Sequence, residues 1–382
     1  MKKNFGIYIH IPFCRQKCFY CDFTSFRADE LDNDIYRQYA DALCQEIALY
    51  QELFPDICID TIYFGGGTPS LLPTDCTEAV LAKLHSSFAV LDGAEITLEA
   101  NPGTVTAESL YKYRSMGINR LSFGVQAVQN ELLHRIGRIH TIEMAGQAVH
   151  EAQAAGFDNI SVDLIYALPG QTLPMLQDSI AWALAQRIQH ISVYGLQIED
   201  GTAFGRLYAA GKLPLPDEET AEAMYDCLMN TLPKHGYKRY EISNFALPGC
   251  ESRHNLRYWH DMPYLGLGAA AHGYYGRRRT QNPADLKTYL QRCAARRLPF
   301  DEEEIVDDKA HMEEFCFLAL RTAQGIDKKI FEQTFGVSIE SVYGGKINIL
   351  RQKNLLTGDD SRICLTAAGM KFGNQVFEEF LL

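Results

Sequence analysis

The sequence lacks a run of about 18 apolar residues, which is the length that a membrane-spanning helix needs. The amino-terminal stretch MKKNFGIYIHIPF is followed by the polar CRQKC before the apolar core of a secretion signal can develop. We therefore expect a soluble, cytoplasmic protein that does not itself span a membrane.

Blocks of like charge are also lacking, and the short GRRRT at 276–280 is the one basic run. The net charge is −12, whereas a surface that binds nucleic acid needs clustered Lys and Arg. We therefore expect no nucleic-acid partner. With 382 residues, 47% of them hydrophobic, the chain is long enough for one large domain and one smaller domain.

The eleven cysteines are an odd number in a long chain without a secretion signal, which argues against a disulfide framework. Eight of them are scattered through apolar or helical patterns, and we expect these to be reduced thiols in the core. Cys14, Cys18 and Cys21 stand apart because they fall within eight positions of one stretch.

Apolar, strand-like segments alternate with amphipathic, helix-like segments over the first 200 residues. This order predicts an α/β fold of parallel strands joined by right-handed crossovers. Six units predict an open, partial (β/α)6 barrel, because a complete eightfold barrel needs about 250 residues of such alternation. The predicted strands cover 6–12, 58–64, 95–102, 118–126, 158–170 and 190–199, and the predicted helices cover 32–54, 74–90, 106–116, 129–136, 142–155 and 172–187.

The remainder of the chain predicts two further parts beside the barrel at 1–200. Residues 201–300 contain a helical pattern near 217–235 and a strand-like YKRYEISNF, which we expect to complete the barrel. Within that part, 250–282 is rich in Gly, His and aromatic residues and is predicted to be irregular. From 305 to 382, three helical patterns precede RICLTAAG, which predicts a small helical, winged-helix-like domain.

The spacing Cys14-x3-Cys18-x2-Cys21 places three thiols in a loop directly after the first strand. Three cysteines can hold a [4Fe–4S] cluster and leave one iron open to an outside ligand. We expect the neighbouring Arg15 and Lys17 to lower the pKa of these thiols.

Zinc is the alternative metal at this loop, and it would need a fourth protein ligand. His10 or Asp22 could supply one. A zinc-stabilised α/β protein without catalysis therefore stays open on these residues alone.

Polar side chains and glycines recur where the predicted strands end, at the edge where α/β folds bind ligands. The GGGT segment at 65–68 ends the second strand, and glycine lets the backbone approach a ligand closely. Glu99 and Gln126 end the next two strands, Asp163 lies on the fifth, and Arg138 is suited to pairing with a carboxylate. Each residue alone is typical of a loop entry, but together they predict a ligand site.

The segment SRHNLRYWH at 252–260 combines a histidine with large aromatic side chains. His254 is a candidate iron ligand, and Tyr258 and Trp259 offer flat surfaces suited to a porphyrin. A single histidine beside aromatic residues is more often a hydrogen-bonded core residue, so both interpretations stay open. His272 is a second candidate ligand.

These segments carry a resemblance to a known family. The cysteine spacing resembles the signature of the radical S-adenosylmethionine (SAM) superfamily. From about residue 6 to the end, the chain is similar to the HemW haem chaperones, which are relatives of oxygen-independent coproporphyrinogen-III oxidase. The similarity lies in YIHIPFC, CFYCDF, FGGGTPS, LEANPGT, RLSFGVQ, VDLIYALPG, YGLQIEDGT, YEISNFA and HNLRYW.

The resemblance implies a radical SAM barrel with a HemN-like C-terminal domain, in a chaperone that binds haem and delivers it to haemoproteins, among them membrane-bound respiratory proteins. It implies a [4Fe–4S] cluster on the three cysteines, haem at His254, and a homodimer when the cluster is present. It assigns SAM contacts to Tyr8, Tyr20, Gly66, Gly67, Thr68, Glu99, Gln126, Arg138 and Asp163. SAM cleavage is compatible with the fold, and we assign no catalytic residue.

The oxidase, which decarboxylates porphyrinogen propionates, is the alternative function. Oxidases place a further cysteine two positions after the third, where this chain has Phe23. They also carry an N-terminal extension over the active site, which we expect to be absent because the strand with Tyr8 begins near the start of the chain. Without that cover a radical would be poorly shielded from solvent, so both departures favour the chaperone.

Overall fold

A computed structural model describes residues 4–32, 34–300 and 302–382, so the start of the first predicted domain, at 1–3, lies outside the described residues. The strands in these ranges are β1 (Asn4–Ile11), β2 (Phe13–Cys14), β3 (Phe26–Arg27), β4 (Cys58–Gly66), β5 (Ala89–Ala100), β6 (Arg120–Gln126), β7 (Ile160–Tyr166), β8 (His190–Gly195), β9 (Lys238–Arg239), β10 (Asn244–Ala246), β11 (Tyr264–Leu267), β12 (His272–Tyr275), β13 (Arg278–Gln281), β14 (Glu302–Ile305), β15 (Ile326–Asp327), β16 (Leu356–Gly358) and β17 (Arg362–Leu365).

The helices follow the strands in the predicted alternation. They are α1 (Ile35–Leu53), α2 (Thr74–Ser87), α3 (Ala107–Ser115), α4 (Asn130–Arg135), α5 (Ile142–Ala154), α6 (Leu173–Ala185), α7 (Ala203–Ala209), α8 (Glu218–Thr231), α9 (Arg253–Trp259), α10 (Leu286–Ala294), α11 (Asp308–Leu320), α12 (Lys328–Phe335), α13 (Ile339–Gln352), α14 (Ala367–Lys371) and α15 (Gly373–Glu378). Among the described helices, none is long and apolar enough to cross a bilayer.

The centre of the main sheet is a run of six parallel strands in the order β1-β4-β5-β6-β7-β8. Alternation of side chains explains its two faces: Ile7, Ile9 and Ile11 of β1 are fully buried in the main core, while Tyr8 and His10 lie on the opposite face. The register continues that inner face across the sheet, because Tyr8 pairs with Tyr63 of β4 and Thr97 of β5 follows. The predicted partial barrel of six βα units is confirmed.

The sheet continues beyond the barrel strands at both edges. Strands β11, β12, β13 and β14 extend it from β1, and β10 and β9 extend it from β8. The prediction that 250–282 is irregular is therefore wrong, since this segment holds α9 and three strands. Its glycines disguise the strands: a Cβ on Gly266 of β11 would collide with the backbone of His272 on β12, so glycine is needed where the two strands pack.

The C-terminal region has its own hydrophobic core, in which Phe331 and Phe380 are fully buried. Its order is α11, β15, α12 and α13, followed by the hairpin β16–β17, and the three short strands pair in the order β15-β17-β16. Three helices followed by a small hairpin correspond to the predicted winged-helix-like arrangement. The predicted domain boundaries at 200, 300 and 305 stay a prediction.

Candidate functional site

The three clustered cysteines lie where the chain leaves the first barrel strand. Cys14 ends β2, which pairs with β3 and so closes the loop between them. Phe19 donates its backbone N–H to the Ile136 carbonyl at 3.0 Å, which fastens the loop to the end of α4. Cys14, Cys18 and Cys21 all line one cavity of about 680 Å³.

The thiols at this loop are partly withdrawn from water. Burial raises the pKa of Cys14, and it raises the pKa of Cys21 to about 11. The expected lowering of thiol pKa is confirmed for Lys17 acting on Cys21, but burial outweighs it, so the pKa of both cysteines is raised overall. Binding of iron must then displace the thiol protons.

The donor set fits an iron–sulfur cluster, and one of the two candidate fourth ligands for zinc, His10, is already engaged. Both ring nitrogens of His10 are engaged inside the protein, Nδ1 with the Tyr8 hydroxyl at 3.0 Å and Nε2 with the Thr24 carbonyl at 2.9 Å. In the described ranges, no three His, Cys, Asp or Glu side chains gather closely enough to hold one ion. A [4Fe–4S] cluster binds each thiolate to a different iron, so its ligands need not converge on one ion.

The glycine segment after β4 lies directly against the cysteine loop. Gly66 has a φ of +109°, and a Cβ there would lie 2.5 Å from the His10 ring. Gly66 donates its backbone N–H to Glu99 Oε2 at 3.2 Å, and Thr68 Oγ1 lies 3.6 Å from Cys14 Sγ. Gly66, Gly67, Thr68, Glu99 and Cys14 line the cavity, so the strand end, the loop and the next strand form one wall.

The polar residues at the following strand ends line the same cavity. Burial raises the pKa of Glu99 to about 7, and the charge of Asp163 acts in the same direction. Tyr63 donates a hydrogen bond to Glu99 Oε1 at 2.7 Å. Burial also raises the pKa of Asp163. Gln126 is held at a φ of +73°, a strained backbone of the kind that concentrates at functional sites.

Arg138 connects the strand ends to the cysteine loop. Its Nη1 donates to Cys18 Sγ at 3.4 Å, and its Nη2 donates to the Gly124 carbonyl and to Asn101 Oδ1, the latter at 2.5 Å. Asn101 was missed from the sequence, and it also donates its Nδ2 to Thr68 Oγ1 at 2.8 Å. The signal that could have found it is its position directly after β5, at the edge where the other candidates lie.

The two candidate tyrosines are placed differently. Tyr20 lines the cavity, and burial raises its pKa well above the ordinary value. Tyr8 does not line it: the Tyr8 ring stacks on Tyr63 with centroids 6.2 Å apart, and its hydroxyl bonds His10. The structure thus brings eight of the nine predicted SAM residues together around one cavity, and contact of all nine with SAM stays a prediction. For brevity we call Glu99, Gln126, Arg138 and Asp163 the rim residues.

His254 lies elsewhere, in helix α9, which packs beneath β4 and β5. It is fully buried, its Nδ1 bonds Thr61 Oγ1 at 2.9 Å, and its Nε2 bonds the Tyr258 hydroxyl at 2.8 Å. Burial, with Arg257 nearby, lowers its pKa to about 3, so the ring is neutral. Ligation of haem by His254 stays a prediction, and it would require one of these two hydrogen bonds to break.

Residues of β4 and β5 hold the helix that carries His254. We call α9 together with Asp60, Thr61 and Glu95 the floor. Glu95 accepts the backbone N–H groups of Arg253 and His254, each at 3.0 Å. Arg257 is 2% exposed, pairs with Asp60, and donates to Thr61 Oγ1 at 3.2 Å. The second candidate ligand, His272, is exposed on β12 and does not line the cavity.

Comparison with known proteins places this site in a family. The model of the radical SAM superfamily matches residues 8–183, and that of the HemN C-terminal domain matches residues 306–372. In fold, the chain is similar to coproporphyrinogen III oxidase (HemN) from Escherichia coli, with a TM-score of 0.86 and 24% identity over 100% of this chain and 90% of that one. At that identity the likeness shows the fold alone.

Curated relatives are more similar in sequence. Heme chaperone HemW of Bacillus subtilis is 39% identical over 98% of both chains, and that of Lactococcus lactis is 38% identical over 100% of this chain and 98% of its own. The radical SAM match implies a [4Fe–4S] cluster and SAM. Identity of this extent over nearly the whole length shows that the chain belongs to the HemW family of haem chaperones within the radical SAM superfamily.

Proposed function

We propose that this protein binds haem and delivers it to apo-haemoproteins, and that it carries a [4Fe–4S] cluster and SAM while doing so. The observation that carries the proposal is the near-complete alignment with relatives named heme chaperone HemW, at 38% and 39% identity. Respiratory haemoproteins are the recipients that we would test first. A homodimer in the cluster-loaded state stays a prediction.

The cavity supports the cofactor part of this proposal. Cys14, Cys18 and Cys21 would hold the cluster, which together with bound SAM supplies a source of organic radicals. Glu99 would accept hydrogen bonds from the SAM amino group, and Arg138 would bind its carboxylate. Both side chains line the cavity beside the thiols, so an anion would be available for the α-amino group of SAM and a cation for its α-carboxylate.

Coproporphyrinogen-III oxidase is the second candidate, and the fold shared with HemN is the observation that favours it. Against it stands Phe23, which is 59% exposed where the oxidases have a further cysteine. Phe23 also lines the cavity, as do the three thiols.

The proposal can be tested by haem transfer. The cluster-reconstituted protein is loaded with haem and mixed anaerobically with an apo-haemoprotein, and the Soret band of the recipient is followed. We expect transfer faster than the spontaneous haem loss that an apomyoglobin scavenger measures. Equal rates with recipient and scavenger would contradict active delivery.

A parallel incubation separates the two candidate functions. The same preparation receives SAM, a reductant and coproporphyrinogen III, and the products are separated by chromatography. We expect no decarboxylation, whereas formation of protoporphyrinogen IX would establish the oxidase instead.

A further inference from the structure

The interior of the barrel contains a buried arginine that is not among the cavity residues. Arg120 begins β6 and is 2% exposed. Alternation along the strand places Arg120 on the same face as Ser122 and Gly124, which line the cavity. Arg120 itself does not line it, so its side chain lies deeper in the barrel than the polar residues at the strand ends.

A buried guanidinium needs hydrogen bonds or compensating negative charge. Within the residues that the structure describes, Arg120 Nε has no hydrogen-bond partner, and neither has Oγ1 of Thr97, which pairs with Arg120 on β5. Compensation therefore comes from nearby carboxylates. Glu95 at the floor attracts the Arg120 cation most strongly, and Asp163 attracts it from the cavity side.

Asp163 is the carboxylate of the cavity wall on which this cation acts. Ser122 Oγ donates to both oxygens of Asp163, at 3.2 Å each, and Ser192 forms a further hydrogen bond to it. Hydroxyl donors favour the ionised form, because a carboxylate accepts hydrogen bonds and does not donate them. Burial raises the pKa of Asp163, whereas the charges of Arg120 and Arg138 oppose that rise.

The two arginines differ in their access to a ligand. Arg138 lines the cavity, where the SAM carboxylate would take up its charge, whereas the enclosed Arg120 acts on Asp163 whether or not SAM is bound. The titratable or charged groups that interact electrostatically with Asp163 are Tyr63, Glu99, Arg120, Arg138 and Tyr194. Those that interact with Arg120 are Tyr63, Glu95, Asp163, His190, Tyr240 and His254, of which Glu95 and Asp163 are the carboxylates.

We propose that Arg120 is a positioning residue of the SAM site: its enclosed guanidinium keeps the Asp163 carboxylate ionised, and the ionised carboxylate accepts a hydrogen bond from SAM. This rests on the proposed function, in which SAM occupies the cavity. The amino group and the ribose hydroxyls of SAM are donors, which a neutral carboxylic acid accepts less well. The competing role for Arg120 is to balance Glu95 alone, which would serve the floor and leave SAM binding unchanged.

Removal of the cation tests the proposal through the pH dependence of SAM binding. In Arg120→Met we expect SAM to bind about tenfold more weakly than in the wild type at pH 7, because about nine tenths of the Asp163 groups would then be neutral. The deficit should shrink to about twofold or less near pH 8.5, where Asp163 ionises without the cation. Equilibrium dialysis of the cluster-reconstituted proteins measures both. Parallel pH profiles of wild type and variant would overturn the proposal.

Arg257→Met is the matched control. Arg257 is equally buried, at 2% exposed, but it pairs with Asp60 at the floor and does not line the cavity. Its loss should lower the free energy of unfolding and leave the pH profile of SAM binding as in the wild type. A shifted profile in this control would show that loss of any buried cation is sufficient, which would overturn the assignment to Arg120.

The coupling of Arg120 to Asp163 is tested in Asp163→Asn, which has no carboxyl group at this position. Adding Arg120→Met to that variant should weaken SAM binding by less than about threefold, because the group through which Arg120 acts is gone. A further tenfold loss would show that Arg120 acts by another route and would overturn the proposal.

Infrared spectroscopy tests the charge of Asp163 with Arg120 in place. The difference spectrum between the wild type and Asp163→Asn should show a carboxylate band and no carboxylic-acid band at pH 7. A carboxylic-acid band would overturn the proposal, even if Arg120→Met failed to fold. If the wild type binds no SAM, the proposed function itself is contradicted, whereas SAM binding with a neutral Asp163 contradicts only the role of Arg120.

Discussion

The cavity side and the floor of the same barrel both contain titratable side chains, but those on the cavity side border open space and those at the floor are enclosed by the protein. On the cavity side, Glu99 and Asp163 border open space, and their carboxyl pKa values are raised because burial penalises their charge. At the floor, His254 and Arg257 make all their contacts inside the protein, and Glu95 caps the backbone of the helix that carries them.

The difference teaches that residue type alone does not identify a site. The floor segment also joins the barrel to the C-terminal region: the Arg321 guanidinium lies 5.5 Å from the Trp259 ring centre, and His311 lies 2.5 Å from Asp261. A residue buried on every side with its polar atoms hydrogen-bonded is typical of structure, whereas a carboxyl group with a raised pKa on a cavity is typical of a ligand site.

The largest expected difference between the two regions is that substitutions of the three clustered cysteines abolish the iron–sulfur cluster. Cys14→Ala, Cys18→Ala or Cys21→Ala should each abolish the iron and acid-labile sulfide of the reconstituted protein, because each removes one of three ligands. Cys250→Ala is the control, since that half-buried thiol does not line the cavity. A triplet variant that keeps its iron would show that the three-thiolate assignment is wrong.

A substitution at the floor should instead lower the stability of the fold. Asp60→Ala leaves the buried Arg257 without its carboxylate partner, so we expect the free energy of unfolding to fall by about 3 kcal/mol. Urea unfolding of the purified protein measures this. Iron content per folded chain should be unchanged, because Asp60 does not line the cavity.

The control for that variant is a surface ion pair. Glu303 lies 2.5 Å from Arg278, and the two side chains are 36% and 50% exposed. Solvent screens such pairs, so Glu303→Ala should cost less than about 1 kcal/mol. If Asp60→Ala and Glu303→Ala lower the free energy of unfolding equally, burial does not make the Asp60–Arg257 pair more important for stability.

Much of the barrel could be predicted because each of its strands and helices is specified by a pattern within one segment of the sequence. The apolar alternation of β1 and the helical pattern before Leu53 lie within single segments, and parallel strand ends meet at one edge, which brought Glu99 and Gln126 to one cavity. The region around β11 could not be predicted, because Gly266 is needed for packing against a strand that the segment does not reveal.

The hydrogen bonding of His254 could not be predicted from the sequence for a related reason. Its Nδ1 bonds Thr61, which is 193 positions away, and no local pattern reports that a distant hydroxyl saturates a ring nitrogen. Asn101 was missed for the opposite reason, because an asparagine before a proline is also typical of an ordinary turn.

A smaller effect at the rim should come from Asn101. Asn101→Ala removes the acceptor for Arg138 Nη2 and the donor to Thr68, and hydrogen bonds to charged groups contribute about 1.5–3 kcal/mol. We therefore expect SAM to bind at least about tenfold more weakly by equilibrium dialysis, with the cluster retained. Asn101→Asp keeps the acceptor and should lose less.

A suitable control for Asn101 is Gln147→Ala, because Gln147 is exposed on α5 and bonds Glu151 of the same helix. Its SAM affinity should equal that of the wild type. If Asn101→Ala also binds SAM as the wild type does, Asn101 does not position Arg138 for the ligand.

The smallest effect is a pH dependence at Glu99, whose pKa of about 7 lies above the ordinary value of 4.5. Only the ionised carboxylate pairs well with the cationic amino group of SAM, so affinity should rise about threefold between roughly pH 6.5 and 7.5. The stability of the unliganded protein should change with pH in the opposite direction. Because the pKa of Glu99 is raised on folding, its contribution to the free energy of unfolding is present at low pH and is lost as the pH rises towards about 7. Glu99→Gln should flatten both profiles and weaken SAM throughout, and a variant that keeps the wild-type slope would assign the titration to another group.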